Sequence, residues 1–449
     1  GRFMKFVPAS GAASRMFKDL VAARRGDTDD AARTAARRFV TELGRLPLRA
    51  ELAAELARRG EDLDAIAASV LDGDGDPAPI LAAALDADGL DLANRPKALI
   101  PFHREVGGDA DEIHNALEDH LIEAAEHLRA RDGRCRVHFT IPQHQEMIFR
   151  EQFREIASRL EPRYGAVFDI SLSIQSPETD TIAATPEGEP FRDDEGRLVF
   201  RPGGHGALLT NLGRLDGDLV FVRNIDNVQP AHRRREVLRW NRLLGGYLVE
   251  VERALVDILR RVERSRGAGG GIEAEAREAA ELLGRPDLLN VLDRPDRARR
   301  DLLVDLLDRP IRVAGVVPNL GEPGGGPFWV RDADGVATPQ IVESAQIRKD
   351  DPGQAAIAAA ATHFNPVHLV CRLRSHHGDA YDLDRFVDPS AVFLANKSHA
   401  GRPLRALERP GLWNGAMAHW HTVFVEVPAA IFAPVKTVFD LLRPEHQPA

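Results

Sequence analysis

Cysteine is scarce in this chain. Only Cys135 and Cys371 occur among 449 residues, too few for a disulfide framework. Both lie in or beside apolar, strand-like runs, as expected of core residues in a reducing compartment. Long apolar runs are also missing. No stretch approaches the roughly eighteen consecutive apolar residues of a transmembrane helix. Gly1 to Lys18 lacks the basic, apolar and small-residue succession of a secretion signal, so the expected location is the cytoplasm. Positive charge is in deficit, with a formal net charge of −10. That argues against a general nucleic-acid binder while leaving room for a local basic pocket for phosphates. What remains is ordinary for a soluble enzyme. With 43% hydrophobic and 29% charged residues, the chain can bury a large core, as two or three domains or as one α/β domain with insertions.

The stretch from Arg201 to Asn227 carries the strongest pattern. Its first part, Pro202-Gly203-Gly204-His205-Gly206, is a loop whose three glycines allow the backbone to approach a flat or charged ligand closely. Its second part, Leu219-Val220-Phe221-Val222, is apolar on both faces, as a strand inside a parallel sheet requires. Asp226 follows at the carboxyl end, where ligands of open α/β sheets bind. A carboxylate there suits a divalent cation held against phosphate, although it could equally cap the next helix.

Elsewhere, strands and helices alternate. The run Lys5 to Ala9 reads as a strand leading into Ser10-Gly11-Ala12-Ala13-Ser14-Arg15. A strand, a loop of small residues and then a helix start is the layout of a phosphate cradle. Between Asp19 and Asn94 the apolar spacing is helical, with stripes at Leu48, Leu52, Leu56 and at Leu63, Ile66, Val70. Asp72-Gly73-Asp74-Gly75-Asp76 lacks the later glycine and glutamate of a calcium loop and reads as an acidic turn. A helix is expected over Asp109–Arg131, strands over Arg136–Ile141 and Phe168–Ile174, and a helix over Met147–Leu160. A hairpin is expected around Asp194-Glu195-Gly196 and a long helix or helix pair over Ala231–Arg264. Gly267–Gly271 reads as a break. His144 and Glu146 read as solvated or capping groups rather than a metal pair. The glycines at 324–326 fit either backbone against a ligand ring or a mobile hairpin.

PGGHGALL followed by FVRNIDN resembles the uridylyltransferases that make UDP-sugars, namely UTP–glucose-1-phosphate uridylyltransferase and UDP-N-acetylhexosamine pyrophosphorylase. The resemblance implies that Gly204, His205 and Gly206, with Gly203 of the same loop, contact the nucleotide base, and that Asp226 binds metal and phosphates. SGAASR is similar to the L-x-x-G-x-G-T-R signature of sugar-phosphate nucleotidyltransferases, with Ala13 in place of its second glycine. By that similarity Ser10, Gly11, Ala12, Ala13 and Ser14 hold the β- and γ-phosphates, and Arg15 stabilises the leaving pyrophosphate. The companion P-K-x-L-x-P half appears at Pro96 to Pro101, pointing to Lys97. IFAPVKTVFDLL resembles the segment that carries a second active-site lysine, here Lys436. QIVESAQI implies a sugar contact for Glu343. HFNPVHL implies a sugar or phosphate contact for Asn365, with His363 helping there, and the end of the strand at 168–174 implies nucleotide or substrate contact for Gln175. As a whole the sequence also resembles the bacterial DUF4301 type, with its KFVPASGA start and PGGHGAL…NIDN centre.

The implied fold is α/β, a Rossmann-like doubly wound mixed sheet of the GT-A-like nucleotide-diphospho-sugar transferase kind with large helical insertions. Residues 1–18 and 95–228 would form the nucleotide-binding part, 19–94 and 229–310 the helical insertions, and 311–449 the sugar-binding part with the C-terminal segment. The implied reaction condenses a nucleoside triphosphate, UTP by resemblance, with a sugar 1-phosphate, using Mg2+ and releasing pyrophosphate. Neither nucleic acid nor membrane is an expected partner. A glycosyltransferase that binds a finished nucleotide-sugar, or a non-catalytic nucleotide-binding relative, would also use Asp226 and the glycine loop.

Overall fold

The computed structural model describes residues 1–449 except 12, 27–28, 74, 107–111, 266–271 and 322–323. It is a mixed α/β structure with a central mixed sheet and many helices. The chain divides into two compact units, each assembled from separated segments. Unit 1 comprises Gly1–Phe6, Leu172–Arg223 and Trp240–Ala429; unit 2 comprises Val7–Ser171, Asn224–Arg239 and Ala430–Ala449.

In unit 2 the end of strand β1 (Phe3–Pro8) leads into the small-residue loop, and the Ala9 N–H donates to the carbonyl of Thr140 at 2.8 Å. Five helices follow: α1 (Lys18–Arg24), α2 (Asp30–Thr41), α3 (Arg49–Arg58), α4 (Leu63–Asp72) and α5 (Ala78–Leu85). Their starts are written in short acidic side chains. Asp29 accepts from the Ala32 N–H and Asp62 from those of Asp64 and Ala65, so each caps its helix. Leu48, Leu52 and Leu56 are fully buried, as the stripe requires. Among the described residues no strand falls between 19 and 94. Of the acidic run, Asp74 lies outside the described residues; α4 ends at Asp72 with Gly73 as its cap at φ 93°, and Asp76 accepts from the Ala78 N–H.

Strands β2 (Pro101–Glu105) and β3 (Glu112–Asn115) pair antiparallel, ahead of helix α6 (Ala116–His127). The helix expected from residue 109 therefore starts later. Asn115 adopts extended backbone and its side chain accepts from the Glu118 N–H, ending the strand and starting the helix. Ile113, inside the expected helix, sits in β3 and is exposed. Strand β4 (Arg134–Ile141), helix α7 (Glu146–Tyr164) and strand β5 (Val167–Ile174) complete the unit's alternation, with the strands in the order β1-β4-β5.

Unit 1 contains β6 (Thr181–Ala184), β7 (Phe200–Arg201), α8 (Leu209–Gly213) and β8 (Leu219–Arg223). Helix α9 (Ala231–Arg264) is a single helix of 34 residues. Its residues Leu238, Leu244, Leu248 and Val251 are buried, while Leu243 is exposed. The Gly267–Gly271 break lies outside the described residues. After α10 (Glu273–Leu283) and α11 (Asp296–Leu307) come β9 (Ile311–Pro318), β10 (Gly325–Arg331), β11 (Ala337–Glu343), α12 (Pro352–Ala359), β12 (His363–Arg372), β13 (Phe393–His399), β14 (Arg402–Glu408) and β15 (His421–Glu426).

The unit's main sheet runs β15-β9-β12-β8-β1. Strand β8 pairs parallel with β1, Phe3 opposite Leu219 through Phe6 opposite Val222. On its other edge it pairs antiparallel with β12, and all five of its residues are buried. Phe6, Val220, Val222, Leu369, Cys371 and Trp420 belong to the same apolar core. A second sheet, β13-β14-β6-β7, packs its own small core of Ala183, Phe191, Val199, Leu404 and Ala406. The hairpin around Asp194-Glu195-Gly196 is present: Asp193 accepts from the Glu195 and Arg197 N–H groups.

Candidate active site

Two groups of side chains stand out, one in each unit. In unit 2, Asp226 lies three residues beyond β8 and is buried, its side chain only 9% exposed. Lys97 Nζ donates to Asp226 Oδ2 at 2.7 Å, and Lys436 Nζ donates to the same oxygen at 2.9 Å. Residues 129 and 210 positions apart from the aspartate thus converge on one atom.

Backbone contacts explain the convergence. The Lys97 N–H donates to the Gly11 carbonyl at 3.1 Å and the Ala13 N–H to the Arg95 carbonyl at 3.1 Å. The small-residue loop and the Arg95–Lys97 segment are thereby stitched together despite the five helices between them. At the other end, the Val435 N–H donates to the Asp226 carbonyl at 3.0 Å and the Ala433 N–H to Asn227 Oδ1 at 3.1 Å. Asp440 then holds the turn, accepting from the N–H groups of Lys436 and Thr437 at 2.8 and 2.6 Å in a reciprocal cap with Thr437. Lys436 is consequently fixed at its backbone while its side chain stays 62% exposed, available to a ligand.

The electrostatics follow from burial and crowding. Burial is the largest influence on Asp226 and would raise its pKa, but the charges and hydrogen bonds of Lys97 and Lys436 outweigh it, and the net shift is downward. For Lys97, burial lowers the pKa first, Asp226 opposes this, and the nearby charges of Lys436 and Arg15 lower it further. Arg15 is exposed and close enough to be felt by Lys97. Two ammonium groups therefore meet at one carboxylate, with the Arg15 charge near Lys97. Asp226 Oδ1 is buried and has no hydrogen-bond partner among the described residues. An orphaned carboxylate oxygen beside phosphate-sized positive charge fits a hard cation such as Mg2+, which takes one or two protein carboxylates and fills its remaining positions from water and substrate.

The loop itself is only partly the expected cradle. Ser10 is half-buried, Gly11 and Ser14 are exposed, Ala13 is buried, and Ala12 lies outside the described residues. A side chain at Gly11 would meet nothing within 4 Å among the described residues. Residues 13–15 form a 3-10 turn before α1.

In unit 1 the structure joins two residues that sequence reasoning treated separately. His205 Nε2 lies 3.0 Å from Glu343 Oε1. His205 Nδ1 accepts from the Leu412 N–H at 2.9 Å, which leaves the proton on Nε2 for donation to the carboxylate. The ring stacks on Trp413 with centroids 4.2 Å apart and planes 16° from parallel. Burial would raise the Glu343 pKa, but hydrogen bonding and charge from His205, with a hydrogen bond from Trp413, carry it downward. Trp413 was not singled out in the sequence. A lone tryptophan in a glycine- and asparagine-rich turn gives no periodic signal.

The glycines around His205 also have an explanation internal to the fold. A Cβ on Gly203 would sit 2.6 Å from the Thr179 carbonyl oxygen, and one on Gly206 would sit 2.1 Å from that of Pro410. What approaches this loop closely is the chain's own backbone. The same holds at 324–326, where a Cβ on Gly324 would meet the Phe364 ring at 2.5 Å; the ring is the protein's own.

Asn365 and His363 each have partners within the protein. Asn365 is buried at a β-bulge in β12, donating to the Gly315 carbonyl at 2.9 Å and accepting from the Val367 N–H at 3.1 Å. Its amide holds the bulge, beside the positive φ of Val367. His363 Nε2 lies 3.2 Å from Glu426. Gln175 is half-buried just past β5, beside the Ile174 carbonyl that accepts from Asn211.

With this geometry in place, comparison with known proteins assigns the family. A single family model, described as Domain of unknown function (DUF4301), matches residues 1–447. The chain belongs to the DUF4301 family. No curated protein matches it in sequence. Among solved structures, a variant of UDP-glucose pyrophosphorylase from Leishmania major in complex with UDP-glucose aligns over 77% of this chain and 61% of its own, at 16% identity and TM-score 0.38. UDP-glucose phosphorylase from Trypanosoma brucei aligns over 78% and 60%, at 15% identity and TM-score 0.40. The uridine diphosphate N-acetylglucosamine pyrophosphorylase of Trypanosoma brucei, solved with an inhibitor, aligns over 96% and 75%, at 14% identity and TM-score 0.41. The DUF4301 chain thus spans about three fifths of the length of the UDP-glucose pyrophosphorylase it aligns with.

Proposed function

We propose that the protein is a sugar-1-phosphate nucleotidyltransferase, condensing a nucleoside triphosphate with a sugar 1-phosphate to give a nucleotide-sugar and pyrophosphate. The observation that carries this reading is the convergence of Lys97 and Lys436 on Asp226 Oδ2, at 2.7 and 2.9 Å, beside a small-residue loop hydrogen-bonded to the Lys97 segment.

The chemistry needs little else. A phosphate oxygen of the sugar 1-phosphate attacks the α-phosphorus in line. The bond from that phosphorus to the bridging oxygen breaks, and pyrophosphate leaves with the electron pair. No covalent bond to the protein forms, so catalysis is positioning and charge neutralisation. Lys97 and Lys436 offset the negative charge that grows on the α-phosphoryl oxygens. Arg15 and the backbone of the 10–15 loop hold the departing phosphates. Asp226 keeps the two ammonium groups together before substrate arrives and would hold Mg2+ through its unpaired Oδ1. That ion, when bound, supplies further neutralisation of phosphate charge. The resemblance assigns base recognition to the 203–206 loop and sugar recognition to Glu343, and favours UTP.

A loop built for a phosphate tail is needed by an enzyme that starts from a triphosphate and not by one that consumes a finished nucleotide-sugar. The test is a panel of the four common nucleoside triphosphates against a set of sugar 1-phosphates. Pyrophosphate release and the mass of the nucleotide-sugar are read together. Stoichiometric appearance of both for at least one pair is expected. Sugar transfer from a nucleotide-sugar without pyrophosphate release on any pair would replace this reading with a glycosyltransferase.

A further inference from the structure

A further cluster lies entirely in unit 1 and contains no residue assigned a role above. The turn after β12, Ser375 to Gly378, is closed by the Gly378 N–H donating to the Ser375 carbonyl at 2.9 Å, with Gly378 at φ 96°. It presents two consecutive histidines. His376 Nε2 lies 2.9 Å and His377 Nε2 3.4 Å from the same oxygen, Oε1 of Glu263 near the end of α9. The two imidazole centroids are 3.8 Å apart. One ligand atom from each of Glu263, His376 and His377 falls within 4.8 Å of the others.

We propose that Glu263, His376 and His377 form a site for a zinc-type transition-metal dication. Zinc sits about 2.0–2.2 Å from imidazole nitrogen and carboxylate oxygen, which places neighbouring donors of a tetrahedral site about 3.3 Å apart. The two histidine nitrogens already stand near that distance from the Glu263 oxygen, so an ion enters with only small side-chain adjustments. Two imidazoles and one carboxylate leave a fourth position for water or a further ligand. The donor set also discriminates between ions. Nitrogen ligands suit zinc and its neighbours, while magnesium prefers an all-oxygen shell.

Behind the donors stands an orienting group. His376 Nδ1 lies 3.1 Å from Asp308 Oδ1, which accepts a hydrogen bond from the Tyr381 hydroxyl at 2.6 Å. A carboxylate at the far nitrogen of a metal-ligating histidine fixes the ring and raises its basicity. The His376 side chain is 3% exposed and that of His377 62% exposed, so the site has one anchored ligand and an open side for entry. The turn ties α9 to the end of β12, and the consequence of occupancy is added stability of unit 1.

The test is calorimetric titration of the full chain, first stripped with chelator, with zinc chloride in the presence of excess magnesium. About one equivalent should bind with micromolar or tighter affinity, and thermal unfolding should move upward. His377→Ala, which removes an exposed side chain, and Glu263→Gln should each weaken binding at least tenfold. Asp308→Asn should weaken it by about 10-fold or more through His376. Absence of stoichiometric zinc binding by the wild-type chain would overturn the proposal. So would equal zinc affinity in the His377→Ala and Glu263→Gln variants, or full displacement by magnesium.

Discussion

Asp226 is buried against two ammonium groups, and its removal tests both stability and chemistry. Asp226→Asn keeps the shape but leaves Lys97, whose side chain is 14% exposed, without its counter-charge. Breaking a buried pair typically costs about 3–5 kcal/mol, and residual solvent contact at Lys97 places this variant near or below the lower end. Denaturant unfolding should show that loss. Turnover should disappear with it, because the carboxylate that gathers the lysines and would hold the metal is gone. Unchanged stability and activity would refute the assignment. Lys436 behaves differently, since its exposed side chain adds little to folding. Lys436→Ala should unfold near the wild-type midpoint yet lower kcat by on the order of a hundredfold, with a smaller change in KM. Near wild-type kcat would make Lys436 a bystander.

At the scale of elements, the C-terminal segment matters through its cap. Asp440 fixes the backbone of Lys436 and Thr437, and the adjacent Phe439 ring lies 4.5 Å from the Arg38 guanidinium of α2. Asp440→Ala should cost about 1 kcal/mol, as loss of a cap does. It should also lower kcat while leaving Lys436 chemically intact; an unchanged kcat would separate the cap from the site.

How far these elements could be read in advance depended on whether the signal was local. The stripe at Leu48, Leu52 and Leu56, the apolar β8 and the helical character of 231–264 follow from periodicity, and they formed; that α9 is one helix rather than a pair does not follow from it. The start of α6 was misplaced because Asn115 ends a strand and caps a helix in one step, which periodicity does not register. Lys97 and Lys436 were legible as motifs. Their meeting on one oxygen was not, because nothing local links positions 97, 226 and 436. Trp413 beneath His205 was missed for the same reason. The glycines at 203 and 206 were noticed, but the carbonyls of Thr179 and Pro410 that require them lie far away in sequence.

Across the molecule, titration offers a global check. Burial pushes the Asp119 carboxyl upward, but His103, 2.6 Å away, with His114 and Arg234 carries it well below the usual carboxylate range. Asp226 is also lowered. As pH falls, the unfolded chain takes up protons at these positions before the folded one. Their stabilisation is therefore present above the unfolded carboxylate pKa of about 4 and lost as pH falls through the folded values. Denaturant unfolding from neutral to acidic pH should show a progressive loss beginning near that point, smaller in Asp226→Asn. The rate should show an alkaline limb of opposite origin. Lys97, its pKa lowered by burial and neighbouring cations, loses its charge at a lower pH than an ordinary lysine. Lys97→Arg, charged throughout, should move that limb upward; an unmoved limb would mean another group titrates there. Among the described residues no helix is long and apolar enough to cross a membrane.

The central claim is that Asp226, Lys97 and Lys436 form one phosphoryl-transfer site. It is tested most directly by pyrophosphate release from a nucleoside triphosphate and a sugar 1-phosphate, with magnesium, in the wild-type chain beside Asp226→Asn, Lys97→Ala and Lys436→Ala. The account predicts release by the wild type that depends on the sugar phosphate, none by the aspartate variant, and a fall of on the order of a hundredfold in each lysine variant. Release that survives all three substitutions, or its absence from the wild type across every triphosphate and sugar phosphate offered, would contradict it.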